Sequence, residues 1–180
     1  EQFARMLKAN DIQVSLPIPI IAKTGWTTDE LMQAISETNP ADGWDWVSLL
    51  IGVNNQYRGR SVDNFRNEFK QLTEIANLLC RNGAEGVQVL SIPDWGQTPF
   101  GSACGRDVKQ ISSDIDAYNQ AAKSVCESIG VAFLDITHLT RQNSGKPEMH
   151  ADDGLHPSRE MYRLWANTLL CTGKFGRFTL

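Results

Sequence analysis

The chain has 180 residues, 41% hydrophobic and 21% charged, with 14 Gly and 7 Pro. That composition fits one globular domain with a substantial core and excludes disordered, collagen-like and coiled-coil classes. Seventeen basic against twenty-one acidic side chains give a net charge of −4, which argues against nucleic acid as a partner, and no apolar run approaches the ~20 residues of a membrane span.

Taken in order, residues 2–9 have helical character, with Phe3, Met6 and Leu7 on one side. Residues 12–16, Ile-Gln-Val-Ser-Leu, alternate as a strand does, and Pro17 and Pro19 end it. Residues 20–22 resume an extended run before Gly25, and Thr27 with Glu30 offers a capping box into a helix reaching about Ser36. Residues 45–51 are nearly continuously apolar, the pattern of a central strand covered on both faces. From Ser61 a long helix carries Val62, Phe65, Phe69, Leu72, Ile75 and Leu79 at spacings of three and four.

Residues 86–92 read as the next strand, stopped by Pro93 and followed by a Gly- and Pro-rich loop to about Gly105. A helix over residues 106–129 buries Val108, Ile111, Ile115, Tyr118, Val125 and Ile129. Residues 131–135 form another strand. A polar loop over 140–157 leads into a last helix with Met161, Leu164, Trp165 and Leu169 inward, Pro157 standing near its first turn. Strand and helix alternate, so the fold class is α/β, a mostly parallel sheet with helices on both faces and a single domain over residues 1–180. In such sheets working groups collect beyond the carboxyl ends of the strands.

Three loops stand there: Thr24-Gly25-Trp26-Thr27, the run from Gly52 through Asn54, Asn55, Gln56, Tyr57 and Arg58 to Gly59, and the run from Ala151 through Asp152, Asp153 and Gly154 to His156 and Pro157. A neutral imidazole takes a proton from a hydroxyl nucleophile, and a carboxylate fixes its tautomer. Asp153 and His156, three apart in a turn, suit those roles. The Gly25 N–H and the Asn54 amide suit a developing oxyanion. Taken singly, each also fits ordinary loop polarity, and Asp152 fits a loop or capping acid.

Order and spacing together resemble the SGNH hydrolases of the GDSL esterase/lipase superfamily, over essentially the whole chain. Gly25 matches the glycine of that family's second block, Gly52-Val53-Asn54 its third, and Asp153 with His156 its last. The resemblance implies a three-layer α/β/α flavodoxin-like fold. It also implies a catalytic set of His156 as base, Asp153 orienting it, and Asn54 and Gly25 as oxyanion donors, with no metal or organic cofactor. Asn55 stands where the family usually has Asp. The family's Gly-Asp-Ser block, which carries the nucleophilic serine after an interior first strand, does not occur in the sequence. The resemblance therefore implies roughly 20 to 30 residues ahead of Glu1, about the size of one strand and its loop. Ser102 and Ser158 follow no strand in a sharp turn of the kind that presents a nucleophile.

Trp26, Gln56, Tyr57 and Trp95 stand beside these loops as candidate substrate contacts, with loop anchoring as the alternative. Hydrolysis of a short acyl ester, such as acetyl on a carbohydrate or other small polar alcohol, is the expected activity. Lysophospholipase or thioesterase activity, and an inactive carbohydrate- or partner-binding role, are the alternatives. A flavodoxin-like nucleotide protein would need a Gly-rich phosphate loop that the sequence lacks. His138 and His150 are read as packing or solvent-facing groups. Cys80, Cys104, Cys126 and Cys171 show no metal-binding spacing. Cytoplasmic, periplasmic and secreted locations are all compatible with the sequence, and no motif fixes an oligomeric state.

Overall fold

The computed structural model describes residues 2–172. The elements in order are α1 (Gln2–Ala9), α2 (Thr28–Thr38), β1 (Val47–Leu49), α3 (Val53–Tyr57), α4 (Val62–Leu79), β2 (Val87–Leu90), α5 (Pro99–Ala103), α6 (Val108–Ile129), β3 (Ala132–Leu134), α7 (Thr137–Asn143) and α8 (Arg159–Thr172). The strands form one parallel sheet ordered β1-β2-β3, with Val47 opposite Val87 and Val89 opposite Phe133.

Side chains alternate across the sheet because strand residues point to opposite faces in turn. Val87 and Val89 enter a core with Phe65, Phe69 and Leu72 of α4 and Ile111, Ile115 and Tyr118 of α6. Leu90 and Leu134 pack instead beside Leu139 of α7 and Met161 and Trp165 of α8. The sheet is therefore sandwiched between two helical layers. Both long helices start where their capping residues predict. Ser61 accepts from the Asn64 N–H at 3.2 Å, and Asp107 accepts from the Lys109 N–H at 2.9 Å. At α2 the Thr27 N–H donates to the Glu30 carboxylate at 2.8 Å, and the helix continues to Thr38, where Asn39 closes it in the left-handed region.

Three expectations are corrected. Residues 12–16 and 20–22 form no strand: they pair with no neighbouring strand among the described residues, and a backbone without a ladder is not a strand. The strand over 45–51 is shorter, and β1 lies at an edge of the described sheet rather than its centre. Just past it, Leu50 is 42% exposed. The stretches read as loops contain helices: α5, with Thr98 as cap and Pro99 in its first turn, and α7. All four cysteines are free thiols, with Cys80 and Cys126 buried. No helix among the described residues is long and apolar enough to cross a membrane, and none of their side chains cluster as a metal site.

Candidate active site

Parallel strands deliver their following loops to one sheet edge. Beyond β1 the chain turns at Gly52, whose φ of +122° belongs to the left-handed side of conformational space. A Cβ there would stand 2.6 Å from the Phe65 ring and 2.8 Å from Ile92. This bare turn starts α3 and lets Asn54 reach the loop carrying Gly25. Asn54 Nδ2 donates to the Trp26 carbonyl at 3.0 Å. An amide nitrogen has two hydrogens, so fixing one leaves a second N–H of set direction. Gly25, at φ +91°, has its carbonyl held by Arg58 Nη2 at 2.7 Å, and Arg58 also pairs with Glu30 at 3.3 Å.

Asn55 binds the same two loops from below. Fully buried, it accepts from the Thr28 N–H at 3.1 Å, and its Nδ2 donates to Thr28 Oγ1 at 2.6 Å. Thr28 Oγ1 passes its own hydrogen to Glu68. This direction explains why an amide sits here: the only hydroxyl proton is committed to Glu68, so position 55 must donate. Asn55→Asp would aim a second acceptor at Thr28 Oγ1, close to the Glu68 carboxylate. Desolvation and that like charge raise the new carboxyl's pKa in the folded state. The penalty is absent at pH below the unfolded carboxyl value and grows as pH rises towards neutrality. Stability at pH 7 should fall by about 1–3 kcal/mol. Adding Glu68→Gln should restore most of it, as melting temperatures across pH 4–8 would reveal. A loss independent of pH, or no rescue, would sink this account.

Gln56 and Trp95, expected at a substrate rim, turn inward instead. They are 7% and 4% exposed, and Trp95 Nε1 donates to Gln56 Oε1 at 2.7 Å. Burial obliges both polar ends to find partners, and they find each other; Gln56 Nε2 reaches Asp114 at 3.3 Å. Tyr57 remains outside at 39% exposure, edge-on to Trp95 with ring centroids 5.1 Å apart. Trp26 is half-buried against the core. The turn holding Trp95 is fixed by Asp94, which is fully buried and receives Arg141 Nε at 2.8 Å and the Gly96 N–H at 3.0 Å.

The third loop is closed on itself. His156 Nδ1 lies 2.5 Å from Asp153 Oδ2, while Asp153 Oδ1 accepts the N–H groups of Leu155 and His156, each at 2.9 Å. The imidazole bond first, and the two backbone bonds after it, hold the Asp153 carboxyl far below the usual carboxylate range. It therefore stays ionised and can only accept, which places a proton on Nδ1; in the neutral imidazole Nε2 then carries the free lone pair. Among the described residues Asp152 makes no hydrogen bond or ion pair with the imidazole. The Ala151 N–H donates to the His156 carbonyl at 2.8 Å, and the Phe100 N–H to the Gly154 carbonyl at 3.0 Å, which docks the loop on α5. The His150 side chain turns to the end of α7, its Nε2 lying 2.9 Å from the Ser144 carbonyl.

The structure thus joins Gly25, Trp26 and Asn54 in one group, Gln56, Tyr57 and Trp95 in a second, and Asp153 with His156 in a third. Among the described residues no hydrogen bond links His156 directly to Asn54 or Gly25. His138 Nδ1 lies 3.6 Å from Asp135. Ser158 is committed to capping α8, accepting the Glu160 and Met161 N–H groups at 3.2 and 3.3 Å. Sequence reasoning missed Thr28, Glu68 and Arg106. The first two look like ordinary helix residues, and nothing in the spacing signals that Arg106 meets Tyr57, 49 positions away.

Residues 1–164 match the GDSL-like Lipase/Acylhydrolase family. Among solved structures, the lipase/acylhydrolase from Enterococcus faecalis has a TM-score of 0.67 at 19% identity, over 94% of this chain and 81% of that one. A variant of Axe2, an acetyl xylan esterase from Geobacillus stearothermophilus, has 0.68 at 19% identity, over 96% and 79%. The psychrotrophic esterase EstA from Pseudoalteromonas sp. has 0.61 at 15% identity, over 94% and 81%. At such identities the likeness is one of fold. No curated protein matches the chain in sequence.

Proposed function

This chain belongs to the GDSL-like Lipase/Acylhydrolase family, whose chemistry is carboxylic ester hydrolysis, and from that premise we propose that it removes a short acyl group from a polar alcohol. The single observation that carries the reading is the Asp153–His156 pair, with an ionised carboxylate on Nδ1 and an open Nε2. A serine hydroxyl attacks the ester carbonyl carbon as His156 Nε2 takes its proton. The Asn54 amide and the Gly25 N–H hold the oxyanion. His156 then protonates the departing alcohol, and a water deprotonated by the same imidazole splits the acyl-enzyme. The serine reaches His156 on a strand paired along the free edge of β1, where the sheet still has unmet hydrogen-bonding groups among the described residues.

A polar alcohol is favoured by the surroundings of Asn54, where Arg58 and Tyr57 are exposed and Gln56 and Trp95 fill the space beneath. That Axe2 is an acetyl xylan esterase points the same way, towards acetyl on a carbohydrate.

The test is to label the full-length protein with a fluorophosphonate and map the adduct. One labelled serine, in a strand that pairs with β1, with labelling lost in His156→Ala, is the expected result. An adduct on Ser102 or Ser158, or hydrolysis that survives His156→Ala, overturns the assignment. Neither labelling nor hydrolysis, with carbohydrate still bound, would identify a binding protein built on this fold.

A further inference from the structure

Arg106 and Arg159 depart from the pattern of six other arginines among the described residues. Arg58, Arg60, Arg66, Arg81, Arg141 and Arg163 each pair with a carboxylate. Arg106 pairs with none among the described residues, although Asp107 adjoins it in sequence. It lies over the Tyr57 ring instead, 4.4 Å from the centroid and 5.7 Å from that of Trp95. One Nη donates to the Tyr57 carbonyl at 3.0 Å.

The nearby acids are already committed. Asp107 accepts the Lys109 and Gln110 N–H groups as the cap of α6, and Asp114 takes the side-chain amides of Gln56 and Gln110. One of five guanidinium N–H donors is used on the protein, so a planar fork faces solvent with its charge unpaired. The floor beneath it is rigid: Tyr57 stands on buried Trp95, and Trp95 is bonded to buried Gln56. Tyr57 follows Asn54 by three positions on α3, roughly 4.5 Å along the helix axis.

We propose that Arg106 on its Tyr57 shelf is a recognition site for a carboxylate carried by the substrate, so that the preferred ester is an acylated acidic sugar or a similar hydroxy acid. The inference rests on the ester-hydrolase reading above and names its substrate class. A carboxylate suits the site because two parallel N–H···O bonds match the guanidinium fork, and the flat ring below holds the fork in place before binding. Arg58 has Glu30 and the Gly25 carbonyl as partners, which leaves Arg106, stacked on Tyr57 of the same helix as Asn54, with capacity for an anion.

The experiment compares full-length protein on two acetylated methyl glycosides, a glucuronoside and its uncharged methyl ester. The wild type should show kcat/KM about threefold to tenfold higher for the carboxylate, the range of one partly exposed charged pair. The advantage should shrink in 0.5 M salt, disappear in Arg106→Gln, and survive in part in Arg106→Lys, which keeps charge without the fork. Equal kcat/KM for the two esters, or a preference that Arg106→Gln leaves intact, overturns the proposal. If neither ester is hydrolysed, the ester-hydrolase reading is what fails. The shelf is then judged by titrating the deacetylated glucuronoside and its methyl ester into the same protein by NMR. Tighter binding of the acid that is lost in Arg106→Gln sustains it, and equal binding ends it.

Discussion

Asn54→Ala should lower kcat for ester hydrolysis about a hundredfold to a thousandfold, with a much smaller change in KM, because in its proposed role as oxyanion donor Asn54 acts on charge present only in the transition state. The geometry makes the prediction specific. One Nδ2 hydrogen goes to the Trp26 carbonyl at 3.0 Å, which removes the amide's rotational freedom and aims the other hydrogen before substrate arrives. Alanine deletes donor and tether together while the backbone stays anchored, since the Arg58 N–H donates to the Asn54 carbonyl at 3.0 Å. Asn54→Asp offers an acceptor where a donor is needed, and its charge would repel the oxyanion, so it should fall at least as far. Steady-state kinetics with a circular-dichroism check on folding would decide. An Asn54→Ala enzyme within tenfold of wild type would remove Asn54 from the oxyanion site.

Gly52→Ala should destabilise the protein by on the order of 3 kcal/mol, combining a side chain forced to positive φ with overlap in a packed core. At φ +122° the added methyl would meet the Phe65 ring at 2.6 Å and Ile92 at 2.8 Å. Phe65 is fully buried and Ile92 nearly so, so neither has space to retreat into. For a domain of this size the drop corresponds to about 6 to 12 °C in melting temperature. Relief of the strain would shift α3 and with it Asn54, so activity should fall even well below the melting point. Thermal unfolding and kcat measured on one preparation test both halves. A variant as stable and as active as wild type would show that the turn adapts without cost.

Much of the framework is legible in the sequence because its causes are local. The stripes of α4 and α6 and the caps Ser61 and Asp107 each sit within a few residues of what they control. The Asp153–His156 contact was readable for the same reason, three residues in a glycine-containing turn. Failures occur where partners are distant. Residues 12–16 alternate as a strand should, but a strand exists only with a neighbour, and alternation does not supply one. The loops of Gln56 and Trp95 suggest rim contacts, while their inward direction depends on a bond across 39 positions. The α5 helix was overlooked despite a local signal. A Thr-Pro pair, cap and first-turn proline, sits inside glycine-rich surroundings that otherwise suggest irregular chain.

The proposed base, His156, and the carboxylate of Asp153 that would orient it lie within one four-residue turn, and this shapes how motion would affect the chemistry. Where three separate elements each bring one catalytic group, any relative displacement disturbs every pairwise distance. Here Asp153 holds both the imidazole and the backbone of His156, so the turn can travel as a rigid body with its tautomer preserved. Thermal excursions of the segment would then alter how near Nε2 comes to the nucleophile, never which nitrogen carries the proton. The tautomer is encoded inside the turn, and reach is encoded by its docking to α5 through the Gly154 carbonyl. The two properties can therefore be tuned by different mutations.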